Sequence, residues 1–196
     1  MKFTAMLALV LAGISCAQPA SVGDEYYRRG VELYLKKDLA GAREYFSRSL
    51  ECRGSRPGAR VFLAKISYFQ GEDAEFESQA ERCLENEETK SEGLRLKARW
   101  HLRRGEYAAA KETVTKLLAR SGEDTVGLYI AGSASLGEGD HEEAIIAFTR
   151  ATSAYPYLQQ SHRKLEEIYT KLGLAARARK NRAMAAAITE WEKEEK

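Results

Sequence analysis

Proline is scarce in this chain of 196 residues, numbering three, so long helices are permitted almost throughout. Histidine is as rare. His101, His141 and His162 lie far apart, and none has a Cys, His or Asp at ligand spacing on the same helical face, which makes surface or groove positions the natural reading and leaves no metal site to expect. No phosphate loop, nucleophile elbow or zinc signature occurs, so no cofactor is expected either. Net charge is almost absent too: it is +2, and about +1 once Lys2 is discounted, which gives a nucleic-acid partner no electrostatic basis. The chain also lacks a hydrophobic run long enough for a membrane span, because the longest, Phe3 to Ile14, is only 12 residues.

That run has a different meaning. One positive charge at Lys2, an apolar core and then the small-residue stretch Ser15-Cys16-Ala17 follow the order of an export signal. The segment resembles the lipobox of bacterial lipoproteins: Ile14, Ser15 and Cys16 fit, while Gly13 stands where Leu is usual. The resemblance implies that 1–15 is a signal peptide, that Cys16 is lipidated and becomes the first residue of the mature chain, and that 16–22, with Pro19, is a tether. An ordinary signal peptide cut after Ala17 is the alternative, and it would discard Cys16.

The remainder, 44 % hydrophobic and 31 % charged over the whole chain, suits a soluble helical protein. It is organised by a ladder: Lys37, Gly71, Gly105, Gly139 and Gly173 stand 34 residues apart, and the next residue is Asp38, Glu72, Glu106, Asp140 and finally Leu174. A fixed period of this length, with a turn signal between two helical patterns, is the mark of stacked helix-turn-helix units. Around the rungs, Tyr26, Gly30, Leu33, Ala42, Phe46 and Ser49 in the first unit, and Leu128, Gly132, Ala144, Phe148, Ala151 and Pro156 in the fourth, resemble the tetratricopeptide repeat. Small residues let two antiparallel helices approach and the large ones fill the space between them. In the second unit Phe76 and Ala80 exchange sizes, a change that conserves volume. In the fifth, Arg182 replaces the core aromatic, and Ala178, Met184, Ala185, Ile188 and Trp191 form an apolar stripe on a helix that continues without a breaker.

The fold class expected is therefore all-α: a solenoid of about five tetratricopeptide-like units with a C-terminal capping helix. The repeat domain spans 23–186, with units near 23–56, 57–90, 91–124, 125–158 and 159–186, and 187–196 form the end of the cap and a charged tail. Cys52 and Cys83 fall late in the second helices of adjacent units, where buried thiols are commoner than a disulfide, although the pairing is left open.

In the tetratricopeptide family the first helix of each unit lines the concave face. Carried over by register, the resemblance implies that Tyr27, Val31, Tyr34, Leu35, Val61, Lys65, Tyr68, Phe69, Arg95, Arg99, Leu102, Arg103, Tyr129, Ser133 and Leu136 project into a groove. Tyr27, Tyr34, Lys65, Tyr68, Phe69, Arg95, Arg99, Arg103 and Tyr129 are the candidate partner-binding residues, aromatics beside a basic stripe suited to a protein or peptide with apolar and acidic groups. The Lys and Asn pattern of the carboxylate-clamp subfamily is missing, notably at Tyr27 and Val31. The expectation is a non-catalytic scaffold on the periplasmic side of a bacterial envelope, anchored by lipid to the inner or outer membrane. A soluble periplasmic protein with a closed apolar pocket for a small ligand is the first alternative, and an envelope enzyme the second.

Overall fold

The computed structural model describes residues 20–52, 55–156 and 158–194, so the signal-like segment and Cys16 lie outside the described residues. Ten α-helices follow in order: α1 (Ala20–Leu35), α2 (Leu39–Glu51), α3 (Gly58–Gln70), α4 (Asp73–Leu84), α5 (Glu87–Arg103), α6 (Tyr107–Ser121), α7 (Thr125–Glu138), α8 (His141–Ala154), α9 (Gln159–Lys171) and α10 (Ala175–Glu194). They pair as five antiparallel hairpins, α1 with α2 through α9 with α10, and each hairpin packs on the next. None of these helices is long and apolar enough to cross a membrane.

Each rung of the ladder closes one hairpin by the same geometry. The rung residue takes a left-handed conformation, with φ of 64° at Lys37, 73° at Gly71, 74° at Gly105, 82° at Gly139 and 71° at Gly173. The following amide then donates back to the carbonyl five residues earlier, as in Asp38 to Leu33 (2.9 Å), Asp140 to Ser135 (2.9 Å) and Leu174 to Tyr169 (2.8 Å), which satisfies a helix-end carbonyl. Glycine is favoured there because a Cβ in this conformation is strained, a cost of roughly 1–2 kcal/mol that Lys37 bears and the glycines escape. The acid after the rung serves the next helix where it is short: the Asp38 and Asp140 carboxylates accept the Gly41 and Glu143 amides at 3.0 and 2.9 Å. Glu72 and Glu106 make no such cap and instead pair with Arg43 and Arg104.

The core is a series of seams rather than one centre. Ala42, Phe46, Ala59, Leu63 and Ile66 join the first hairpin to the second; Phe76, Ala80, Cys83, Leu96 and Trp100 join the second to the third. Ala98, Ala110, Val114, Ile130 and Ala134 form the third seam, and Ala144, Phe148, Leu165, Ile168 and Tyr169 the fourth. Burying a side chain such as Phe46 contributes about 1.5–3 kcal/mol, and because every seam spans two hairpins no hairpin is stable alone. Phe76 and Ala80 are both fully buried, with Phe76 stacked on Trp100 at 5.5 Å, so the exchanged sizes are accommodated by the neighbouring unit. Cys52 packs against Gly23 in the first hairpin. Cys83 sits in the second seam, where burial pushes its thiol up to about 11 and makes it a poor nucleophile.

Within the hairpins a size rule holds between the two helices. Seven residues before the rung stand Gly30, Ala64, Ala98, Gly132 and Glu166; nine after it stand Phe46, Ala80, Val114, Phe148 and Arg182. Glycine thus faces Phe, and alanine faces Ala or Val. A Cβ on Gly30 would lie 2.8 Å from the Phe46 ring, and one on Gly132 2.9 Å from Phe148. In the last hairpin the pair becomes polar, with Arg182 Nε donating to Glu166 Oε1 at 2.6 Å.

The N-terminal end of the solenoid is polar. The positions that seat α3 on α2 are Ala59, Phe62, Leu63 and Ile66, and their counterparts in α1 are Glu25, Arg28, Arg29 and Glu32. These are exposed and pair within the helix, Arg28 with Glu25 and Arg29 with Glu32. At the other end Ala178, Ala185 and Ile188 bury α10 against α9, but Met184 and Trp191 are exposed. The apolar stripe expected on α10 is therefore narrower than the sequence suggested, because at 100° per residue those two side chains fall on the flank of the buried face.

Candidate functional site

Curvature places the first helices inside. α3 packs directly on α5, and α5 on α7, while no comparable contact joins successive second helices among the described residues. The helices that touch across units form the concave side, which is where the register put the candidate residues.

Their roles divide by position. Ten and three residues before the first four rungs the side chains are buried or half-buried, whereas Arg163 and Thr170 before the fifth are exposed. Tyr27 meets Phe46 and Phe62 edge-on at 5.9 and 6.0 Å, and Tyr34 meets Phe62 at 5.1 Å. Tyr68 packs on Phe76 at 5.9 Å and Tyr129 on Phe148 at 5.7 Å. Tyr27 and Tyr34 thus join the first two units through Phe62, while Tyr68 and Tyr129 brace the two helices of their own hairpins. Two residues before the rung the face is open: Leu35 is 74 % exposed and Phe69 62 %.

The basic residues divide as well. Lys65, Arg95 and two carboxylates form a relay through three hairpins. Lys65 Nζ lies 2.8 Å from Glu92, Arg95 lies 2.6 Å from Glu92, and Arg95 also lies 2.6 Å from Asp124. Asp124, with 4 % of its side chain exposed, accepts the Gly127 amide at 2.8 Å and so caps α7 as well. Burial works to raise the Glu92 carboxyl, but hydrogen bonds from Lys65 and Arg95 outweigh it and hold the group below the usual range. The same contacts raise the Arg95 guanidinium, chiefly through Asp124. Arg103 is engaged at the other end of α5: it donates to the Tyr68 carbonyl at 2.7 Å, reaches Asp73 at 3.2 Å, and lies 4.2 Å over the Tyr68 ring. The Trp100 indole, then Arg104 and Arg103, hold Asp73 below the usual carboxylate range.

Arg99 differs from all of these. It is exposed, has no carboxylate partner among the described residues, and borders a hollow of about 190 Å³ with Glu92, Arg95, Leu96, Asp124, Thr125 and Val126. The nine candidates are thus brought onto one side, but most are occupied with the fold, and Phe69 and Arg99 are the ones presented outward. Glu92 and Asp124 were missed at the level of sequence. Asp124 carried a signal, an Asp three residues ahead of a helical Gly.

The histidines are not a set. His101 Nδ1 lies 2.7 Å from Glu106, whereas His162 is buried, with Nδ1 2.9 Å from Asn181 Oδ1 and Nε2 3.0 Å from the Pro156 carbonyl. The surface position expected for His162 gives way to a core one, because it stands where Leu94 and Leu128 are buried in their own hairpins. No group of His, Cys, Asp and Glu among the described residues is arranged to hold a metal. The hollows, from about 190 to about 360 Å³, open to solvent and are bordered by charged side chains.

No protein-family profile and no curated protein matches the sequence. Solved structures do match by shape. PilF of Pseudomonas aeruginosa aligns with a TM-score of 0.77 and 15 % identity over 85 % of this chain and 76 % of its own. PilW, described as a widely conserved type IV pilus biogenesis factor, gives 0.74 and 16 % over 86 % and 78 %. A MamA fragment from Desulfovibrio magneticus RS-1 gives 0.66 and 14 % over 88 % and 96 %. At these identities the likeness is one of fold: with the five hairpins and their repeated turns, it makes the fold a solenoid of tetratricopeptide-like helical hairpins.

Proposed function

We propose that this tetratricopeptide-repeat solenoid is an exported, lipid-anchored scaffold that captures a protein or peptide partner in the bacterial cell envelope through its first-helix face. The observation that carries the reading is the contrast on that face. Lys65, Arg95, Arg103 and four tyrosines are satisfied internally, while Phe69, Leu35 and Arg99 are held outward by that framework without partners of comparable strength. A rigid surface with apolar anchors and one uncommitted guanidinium suits a peptide that brings apolar side chains and a carboxylate. Open, charged hollows disfavour the small-ligand alternative, which needs an enclosed apolar cavity, and the ionisable cluster of Lys65, Glu92, Arg95 and Asp124 is engaged in joining hairpins. PilW's description as a pilus biogenesis factor belongs to PilW; the shared fold makes an assembly role in the envelope the natural one to test here.

Two variants test the parts separately. Cys16→Ser is expected to abolish lipid labelling and membrane retention, and unchanged fractionation would remove the anchor. Arg99→Ala is expected to lower capture of the crosslinked partner from membranes by at least about tenfold, a loss of roughly 1.4 kcal/mol, with thermal stability unchanged because Arg99 is exposed and makes no ion pair among the described residues. Arg95 is unsuitable for this purpose, since reversing it would set a third carboxylate beside Glu92 and Asp124.

A further inference from the structure

Of the three histidines only His162 is buried, at a position where the third and fourth hairpins place Leu94 and Leu128. A polar ring in such a place has to satisfy both of its nitrogens, and the atoms opposite them dictate how. Nε2 lies 3.0 Å from the Pro156 carbonyl, in the connection between α8 and α9. A carbonyl oxygen can only accept, so this nitrogen carries a hydrogen. Nδ1 lies 2.9 Å from Asn181 Oδ1 on α10. The orientation of that amide is fixed by its other end, because Asn181 Nδ2 donates to the Arg177 carbonyl at 3.0 Å and turning the amide over would set oxygen against oxygen there. Oδ1 therefore faces the ring, and Nδ1 has to carry a hydrogen as well. A neutral imidazole has one N–H and serves one of these acceptors; the imidazolium serves both.

We infer that His162 is a proton-dependent latch tying the capping helix α10 to the connection between α8 and α9, complete when the ring is doubly protonated and short of one bond when it is neutral. The surrounding groups set the balance. The charged side chains bordering the hollow of about 280 Å³ beside His162 are Arg177 and Lys180, both from α10. They oppose a further positive charge, as burial does, but they are exposed and solvent screens them. There α8 contributes only the hydroxyls of Thr149 and Thr152, and α9 the Tyr169 phenol. Glu166, one turn along α9, is committed to Arg182. What favours the charged ring is its pair of charge-assisted hydrogen bonds, each roughly twice as strong as a neutral one. The neutral ring would instead turn a lone pair on Oδ1, a contact that is repulsive rather than merely lost. Histidine changes charge between about pH 5 and 8. Because the complete latch needs the added proton, its hold on α10 is present at the acid end of that range and is lost as pH rises through it. The latch acts at the C-terminal cap, leaves Phe69 and Arg99 untouched, and stands or falls independently of the partner-binding reading.

Amide hydrogen exchange of the purified full chain tests it. After correction for the intrinsic effect of pH, the α10 amides should exchange about tenfold faster at about pH 8 than at about pH 5.5, the effect of one buried hydrogen bond lost. His162→Leu installs the residue that the third and fourth hairpins use at this position, so it should fold and lose the difference. Asn181→Ala discriminates more sharply. The histidine remains, but the Pro156 carbonyl is then the one acceptor left of the pair, the neutral ring satisfies it, and the pH dependence should fall to about twofold or less. Protection of α10 that is flat across this range, protection that is greater at the alkaline end, or a pH dependence that survives in either variant would each overturn the inference.

Discussion

Gly132→Ala should destabilise the solenoid by roughly 1–3 kcal/mol, because the added Cβ would lie 2.9 Å from the Phe148 ring in a fully packed hairpin. Phe148→Val should cost about 2–4 kcal/mol through lost burial and the cavity left behind. The double variant, however, should be no less stable than Phe148→Val alone. It recreates in the fourth hairpin the Ala98 and Val114 pair that the third hairpin already uses at the same two positions, both buried. The coupling between the two substitutions is then favourable by about 1–3 kcal/mol. Denaturant titration of the four proteins in the cycle measures it. Additive effects would mean that the match of Gly with Phe and Ala with Val across the units is coincidental.

Asp124→Ala carries the second large effect, about 2–4 kcal/mol of lost stability, because one side chain performs two tasks. It accepts the Gly127 amide as the cap of α7, worth about 1 kcal/mol, and its other oxygen takes both Arg95 Nε and Nη2, at 2.8 and 2.6 Å. Removing it leaves a half-buried guanidinium short of an acceptor between the third and fourth hairpins, a penalty of about 1–3 kcal/mol. Asp124→Asn should recover the cap and not the charge, returning about 1 kcal/mol. Equal losses in both variants would show that Arg95 alone sets the effect, and no loss in either would remove the relay from the account of how the units are oriented.

What the sequence disclosed and what it withheld have physical reasons. The rungs were legible because the left-handed turn residue is chosen locally, by the backbone, and four of five are glycine. The exchange at Phe76 and Ala80 was legible because core volume is conserved between neighbouring positions. The ends were only half legible. Arg182 signalled the C-terminal cap, but the Glu25, Arg28, Arg29 and Glu32 set in α1 reads as an ordinary solvated face until its positions are compared with Ala59, Phe62, Leu63 and Ile66. The candidate face was the least legible. Arg95, Arg99 and Arg103 look alike at four-residue spacing, yet Arg95 is claimed by Asp124 29 residues away and Arg103 by Asp73 30 residues away. Those partners come from neighbouring hairpins, and no local pattern distinguishes a claimed arginine from an unclaimed one.

The partner-binding reading rests on which side of the solenoid is occupied in the cell. A photoreactive amino acid placed at Arg99 on the first-helix face, and separately at the exposed Ile146 on the outer surface of α8, compares the two sides in intact membranes. The predicted result is a discrete adduct of one partner from position 99 and none from position 146. Adducts from position 146 alone would place the partner on the convex side and contradict it.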